Sequence, residues 1–134
     1  MPDWREEIEE LHRWFEDWLG GRIPADDGGR LEVALAPAFT LVTPGGDERS
    51  RFEVIDAVRK ARAARPGLRI RIRDPRLLAV EGELVAVSYE EWQESGGEPR
   101  GRLSTALLRR RGPDAGLEWL RVHETWITPA PPPP

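Results

Sequence analysis

The sequence predicts an α+β domain, a cone-shaped roll in which three N-terminal helices pack on a strongly curved, mostly antiparallel sheet. Amphipathic helical segments occupy the first half of the 134 residues, and four strand-like segments follow one another in the second half. Helices and strands separated along a chain in this way usually form a sheet that is covered by helices on one face. We expect one domain over residues 1–127 and a proline-rich tail over residues 128–134.

The first helix is predicted from about Asp3 to Leu19. Asp3 is a suitable N-cap, and the glycine pair at 20 and 21 ends the helix. Trp14 falls at the edge of the apolar face rather than at its centre. Apolar residues recur every three or four positions, which indicates one buried face; they are Trp4, Ile8, Leu11, Phe15 and Trp18.

Two short segments and a second long helix complete the first half. Residues 30–36 predict a short helical turn, and residues 38–42 alternate as a strand that ends at the turn sequence "TPGGD". Ser50 and Glu53 have the spacing of a capping box, so the second long helix should begin there and end at "PG", 66 and 67. Its expected apolar stripe contains Phe52, Ile55 and Val58.

Four predicted strands follow: "LRIRIRD", "ELVAVSYEEWQ", "RLSTALLRRR" and "LEWLRVHETWI". The loops "ESGGEP" and "GPDAG" have residues that suit hairpins. Strand side chains alternate between faces. The alternation predicts that the inward set contains Leu84, Ala86, Ser88, Glu90 and Trp92, then Ser104, Ala106 and Leu108, then Leu120, Val122, Glu124 and Trp126. Val85, Val87 and Tyr89 favour the opposite assignment for the "ELVAVSYEEWQ" strand, because that face is bulkier.

Composition excludes several functional classes. The net charge of −4 does not favour nucleic acid or an anionic membrane as a partner. Without cysteine there is no thiolate metal site and no cysteine nucleophile. The glycine pairs lack the context of a phosphate-binding loop, and the two histidines do not make a metal-ligand set. We therefore predict no metal and no cofactor. The first residues, "MPDWREEIEE", lack a signal-peptide pattern and no apolar run approaches the ~20 residues of a membrane span, so we also expect a cytoplasmic location.

Three stretches together resemble the nuclear transport factor 2-like superfamily, over roughly residues 5–127. They are "APAFTLVTPGG", "EPRGRLSTALLRRR" and the closing residues Trp119, Val122, His123 and Glu124. The superfamily includes ketosteroid isomerase, SnoaL-like cyclases, scytalone dehydratase and the association domain of calmodulin-dependent protein kinase. The resemblance implies a pocket at the open end of the cone and a homodimer formed through the outer sheet face. It does not supply a reaction, because the catalytic pairs of the isomerase and the dehydratase have no counterparts in this sequence.

His123 and Glu124 are the candidate catalytic residues, and alternation allows only one of them to face inward. The apolar neighbours of Glu124 on its own face predict that Glu124 is the inward one. A buried carboxylate must be hydrogen-bonded, paired or protonated. It is therefore either a structural strut or a general acid–base group, and His123 is the alternative if the faces are reversed.

The sequence thus predicts a cavity that binds a small organic molecule, which would suit an isomerase-like or cyclase-like acid–base enzyme. The predicted lining, besides Glu124, is Trp14, Trp18, Phe39, Ser88, Val122 and Trp126. The alternative is a non-enzymatic dimerisation or protein-interaction module whose cone is filled by side chains.

Overall fold

The computed structural model describes residues 3–113 and 115–127. These residues form three α-helices, a short 3-10 turn and a six-stranded sheet. The helices are α1 (Trp4–Leu19), α2 (Gly29–Ala34) and α3 (Arg51–Lys60). The strands are β1 (Leu35–Val42), β2 (Glu48–Ser50), β3 (Arg69–Glu81), β4 (Leu84–Glu94), β5 (Arg100–Arg110) and β6 (Leu117–Trp126). The predicted tail at 128–134 lies outside the described residues.

The sheet order is β2-β1-β6-β5-β4-β3, and the pairs are antiparallel except for the parallel pair of β1 and β6. The helices pack on the concave face of this sheet, so the structure confirms the predicted α+β cone. The parallel pairing places Leu41 beside Val122 and brings the early strand against the last one. None of the helices among the described residues is long and apolar enough to cross a membrane.

The helix starts agree with the sequence. The Asp3 side chain accepts a hydrogen bond from the Arg5 amide at 2.8 Å, which caps α1. At α3 the Ser50 hydroxyl accepts from the Glu53 amide, and the Glu53 carboxylate accepts from the Ser50 amide. Both reciprocal bonds of the predicted capping box are therefore formed.

Several other element boundaries were predicted wrongly. The short helix ends at Ala34, α3 ends at Lys60, and Phe52 is 76% exposed rather than part of the buried stripe. The sequence also did not predict β2 or the extension of β3 to Glu81. The extension is possible because β3 is an edge strand, where the pairing is interrupted at Pro75 without breaking the sheet.

The predicted inner face of β4 is wrong. Val85, Val87, Tyr89 and Glu91 are buried against the core, whereas Ser88 lies on the opposite face. The bulkier apolar side of the strand packs inward because it removes more apolar surface from water.

A bulge in β6 changes the face of one tryptophan. Leu107 pairs with Arg121 and Leu108 pairs with Trp119, so Leu120 is an extra residue in the last strand. As a result Trp119, predicted to point outward, shares the inner face with Val122.

Candidate functional site

A cavity of about 260 Å³ lies between the helices and the concave face of the sheet. Most of its lining is apolar, from residues such as Leu11, Phe15, Leu35 and Phe39. The polar lining residues are His12, Arg65, Tyr89, Glu91, Gln93, Arg102 and Glu124. An apolar cavity that contains a group of convergent polar side chains is the usual form of a small-molecule site.

His12 and Glu91 form a buried ion pair in this cavity. The His12 Nδ1 atom lies 2.7 Å from the Ile8 carbonyl oxygen, and its Nε2 atom lies 3.1 Å from Glu91 Oε1. A carbonyl and a carboxylate only accept hydrogen bonds, so both ring nitrogens must donate and the ring is an imidazolium. The two side chains are only 6% and 7% exposed, which makes their charges dependent on each other.

The pKa directions of the pair agree with this assignment. Burial alone would lower the pKa of His12, but the charge of Glu91 and the two hydrogen bonds outweigh it, and the pKa is raised. Burial alone would raise the pKa of Glu91, but the charge and hydrogen bond of His12 lower it, as does nearby Arg102. The charged forms of the two groups therefore stabilise each other.

Glu91 is held by a second set of contacts. Its Oε2 atom accepts from the Gln93 side-chain amide, and the Gln93 oxygen accepts from Arg65. Both oxygens of Glu91 and both nitrogens of His12 are thus engaged. Neither residue can exchange a proton without breaking the pair.

Glu124 has a different environment. It is 7% exposed, and its Oε1 atom accepts from Arg102 Nη1 at 3.1 Å, across β5 and β6. Its second oxygen makes no hydrogen bond to any residue that the structure describes. Burial raises the pKa of Glu124; Arg102 opposes this and Glu91 adds to it, so the pKa is above its ordinary value.

Tyr89, Ser104 and Glu124 lie in register across β4, β5 and β6. Burial raises the pKa of the Tyr89 phenol well above its ordinary value, as do the carboxylates of Glu91 and Glu124. Ser104 is fully buried beside Tyr89 in this row. This row forms one wall of the cavity, and its two outer members, Tyr89 and Glu124, line the cavity.

The structure brings together three of the site residues predicted from sequence, namely Phe39, Val122 and Glu124, which all line the cavity. The others lie elsewhere among the described residues: Trp14, Trp18, Ser88, His123 and Trp126.

These five residues make contacts outside the cavity or lie on the outer face of the sheet. The Trp18 indole donates to the Val58 carbonyl at 2.7 Å, and Trp14 stacks on Trp18 with ring centroids 5.3 Å apart, so the two rings pack against each other beside α3. Ser88 and His123 lie on the outer face of the sheet. Trp126 is on the inner face, but it lies next to the Arg102 guanidinium, 5.5 Å from its ring centroid, rather than in the cavity.

The sequence analysis did not assign His12, Tyr89, Glu91 or Arg102 to the site. A usable signal was present, because His12 lies four residues after Ile8 and therefore within the apolar stripe of α1. Glu91 likewise shares the alternating face of Tyr89. A charged residue within an apolar stripe must have a buried partner.

Comparison with known proteins places the chain in a family. Residues 5–128 match the family described as "Sucrose-6-phosphate phosphohydrolase C-terminal". The chain belongs to this family. The chain is 28% identical to each of two curated relatives from Nicotiana tabacum. They are Sucrose-phosphatase 2, aligned over 130 residues, and Sucrose-phosphatase 1, aligned over 127 residues. These alignments cover 92% and 90% of the chain but only 31% and 30% of the relatives, so the chain spans about a third of their length.

Solved structures confirm the superfamily resemblance. An NTF-2 like protein of unknown function from Pseudomonas aeruginosa is 33% identical to the chain, with a TM-score of 0.87. The alignment covers 92% of the present chain and 98% of the Pseudomonas protein. An NTF2-like protein of unknown function in nutrient uptake, from Rhodospirillum rubrum, is 20% identical with a TM-score of 0.71. This alignment covers 93% of the present chain and 98% of the Rhodospirillum protein. This chain therefore has the nuclear transport factor 2-like fold.

Proposed function

We propose that this domain binds a small organic molecule in the cavity. The observation that carries the proposal is the combination of a largely apolar lining with a buried cluster of charged side chains. The apolar part of the ligand would contact residues such as Phe39 and Val122, and its polar group would meet Arg102 and Glu124. A cavity of about 260 Å³ also favours this function over the alternative of an interaction module with a filled cone.

Glu124 is the residue we propose for any acid–base step. Its raised pKa and its unbonded oxygen suit proton exchange nearer to neutral pH than an ordinary carboxyl group. His12 cannot take this role while both of its nitrogens donate, and His123 lies in a groove on the outer face. A proton transfer beside a carbonyl, as in an isomerase or a cyclase, is the type of reaction that such a carboxyl group supports.

The phosphatase substrate of the curated relatives is a poor candidate for this cavity. A sucrose phosphate has many hydroxyl groups, and burying them against an apolar lining would leave most of them without hydrogen bonds. We therefore propose that this domain contributes a separate binding function rather than the phosphatase reaction itself.

A ligand screen by melting temperature and tryptophan fluorescence tests the proposal, since Trp119 lines the cavity. A ligand at a hundred times its dissociation constant should add about 2.7 kcal/mol to the free energy of unfolding. The variant Val122→Phe should lose this shift because the added ring occupies the cavity. Thr125→Phe on the outer face is the matched control, and it should retain the shift. An equal shift in both folded variants would contradict binding in the cavity.

We also propose that the domain forms a homodimer through the outer face of the sheet. A groove on that face is lined by Ala86, Leu107 and His123, and Leu103 beside them is 42% exposed. Apolar surface of this kind on a sheet is typical of protein contacts.

Sedimentation at micromolar concentration should show a species of twice 15.2 kDa for the wild type. Leu103→Glu should shift it to the monomer, because a charge would be buried in the interface. Leu77→Glu is the control, because Leu77 is similarly exposed (47%) but pairs with Val87 on the opposite face. A monomeric wild type would contradict the proposed dimer.

A further inference from the structure

More basic than acidic side chains face the cavity. They come from every element around Glu124: His12 on α1, Arg65 after α3, Arg102 on β5, Glu91 on β4 and Glu124 on β6, with neutral Tyr89 on β4. When both carboxylates are ionised, three cations face two anions. The cavity therefore has an excess positive charge in an environment of low polarity, where charge interactions are strong.

Arg102 has unused hydrogen-bonding capacity at this position. It donates one bond, from Nη1 to Glu124, and its other N–H groups have no partner among the described residues. Its side chain is 24% exposed and lines the cavity. A guanidinium with free donors in a fixed plane is suited to an oxyanion, which can accept two parallel bonds.

The two carboxylates would respond differently to an added negative charge. Glu91 is fixed in the ionised state by His12 and Gln93. Glu124 has one bond to Arg102 and one free oxygen, and its charge is already disfavoured by burial. An oxyanion that takes over the bond to Arg102 would leave the buried Glu124 carboxylate without its counter-ion. Glu124 would then take up a proton from solvent, and its carboxyl group could donate to the ligand.

We infer that the cavity recognises an apolar molecule with an oxyanion group, which binds Arg102 while Glu124 takes up one proton. This inference rests on the proposed ligand-binding function and specifies the class of ligand. Binding consumes one proton from the buffer, and the ligand oxyanion replaces the Glu124 carboxylate as the anion paired with Arg102.

The test uses naphthalene-1-sulfonate as the anionic probe and naphthalene-1-sulfonamide as its neutral counterpart, with 1-naphthylmethylammonium as the cation. The sulfonate stays ionised between about pH 5 and 9, so any pH dependence of its affinity comes from the protein. Calorimetry should show sulfonate affinity falling up to about tenfold per pH unit above the pKa of Glu124. The sulfonamide should bind with little pH dependence, and the cation should bind weakly.

Proton uptake is measured directly by repeating the sulfonate titration in buffers of different ionisation enthalpy. The apparent binding enthalpy should vary with the buffer in the wild type and not in Glu124→Gln. This variant should also bind the sulfonate more tightly at pH 8, because no carboxylate competes for Arg102. Arg102→Met should lose the preference for the sulfonate over the sulfonamide, whereas Arg71→Met, on the exposed outer side of β3, should keep it.

The outcomes separate this inference from the proposed function. Equal binding of sulfonate and sulfonamide, or a sulfonate affinity that Glu124→Gln lowers, would overturn the oxyanion inference and leave the cavity site intact. Sulfonate binding that persists in Val122→Phe would place the probe on the surface and would also overturn the inference. If none of the three probes binds, the oxyanion inference fails, and the proposed function fails as well if the ligand screen gives no shift that Val122→Phe removes.

Discussion

Replacing His12 with leucine is expected to lower the free energy of unfolding by about 3–5 kcal/mol, because Glu91 would stay buried without its cationic partner. Only the Gln93 amide and the more distant Arg102 would remain to stabilise the carboxylate. Leucine has nearly the volume of the imidazole ring, so the cost is electrostatic rather than a packing defect. Urea unfolding at pH 7 measures the loss.

The double variant His12→Leu/Glu91→Leu should recover most of that stability. Replacing both partners of a buried ion pair with apolar groups removes the desolvation cost together with the attraction. Lys60→Leu is a control for the loss of one charge from an ion pair, since its bond to Asp56 is at the surface and should matter little. A single His12→Leu variant as stable as the Lys60→Leu control would contradict the buried pair.

The same pair makes stability depend on pH. The pKa of His12 is raised in the folded state, so its contribution is full below the ordinary value of 6.5 and is lost as pH rises through the folded pKa. The pKa of Glu91 is lowered, so its contribution is full above 4.5 and is lost as pH falls through the folded value. The wild type should therefore lose stability as the pH rises above 6.5 through the folded pKa of His12, and the apolar double variant should lose less in urea unfolding measured across this range.

The fold was predictable because its signals are local. The caps at Asp3 and Ser50, the helical spacing of α1 and the alternation of the late strands each act over a few residues. The order of these elements then leaves few possible architectures. Pairing of β1 with β6 is a distant contact, and the sequence analysis did not predict it.

The site was less predictable because it depends on contacts between distant residues. His12 and Glu91 are 79 positions apart, and nothing local joins them. Alternation gave the correct face for Glu124 but not for β4, whose two sides both have apolar residues. It also failed at Trp119, because one bulged residue reverses the face of every side chain on one side of it.

Trp119→Ala is expected to cost about 3–5 kcal/mol of unfolding free energy, whereas Trp126→Ala on the same strand should cost much less. Trp119 is 1% exposed, and its indole N–H donates to Glu7 Oε2 at 2.8 Å, so truncation removes packing and leaves a partly buried carboxylate without that bond. Trp126 is half-buried and contacts Arg102 at the end of the strand. A β6 strand without a bulge would place Trp126 inside and Trp119 outside, so Trp126→Ala would then cost more stability than Trp119→Ala.

Denaturant unfolding of the two variants therefore tests the bulge at Leu120 as well as the core. A larger loss in Trp126→Ala than in Trp119→Ala would mean that β6 has no bulge and that Trp119 lies on the outer face. Trp119→Phe adds a second check, since it keeps an aromatic ring but removes the bond to Glu7. This variant should lie between the wild type and Trp119→Ala, because the ring fills part of the volume while one charge-assisted hydrogen bond is lost.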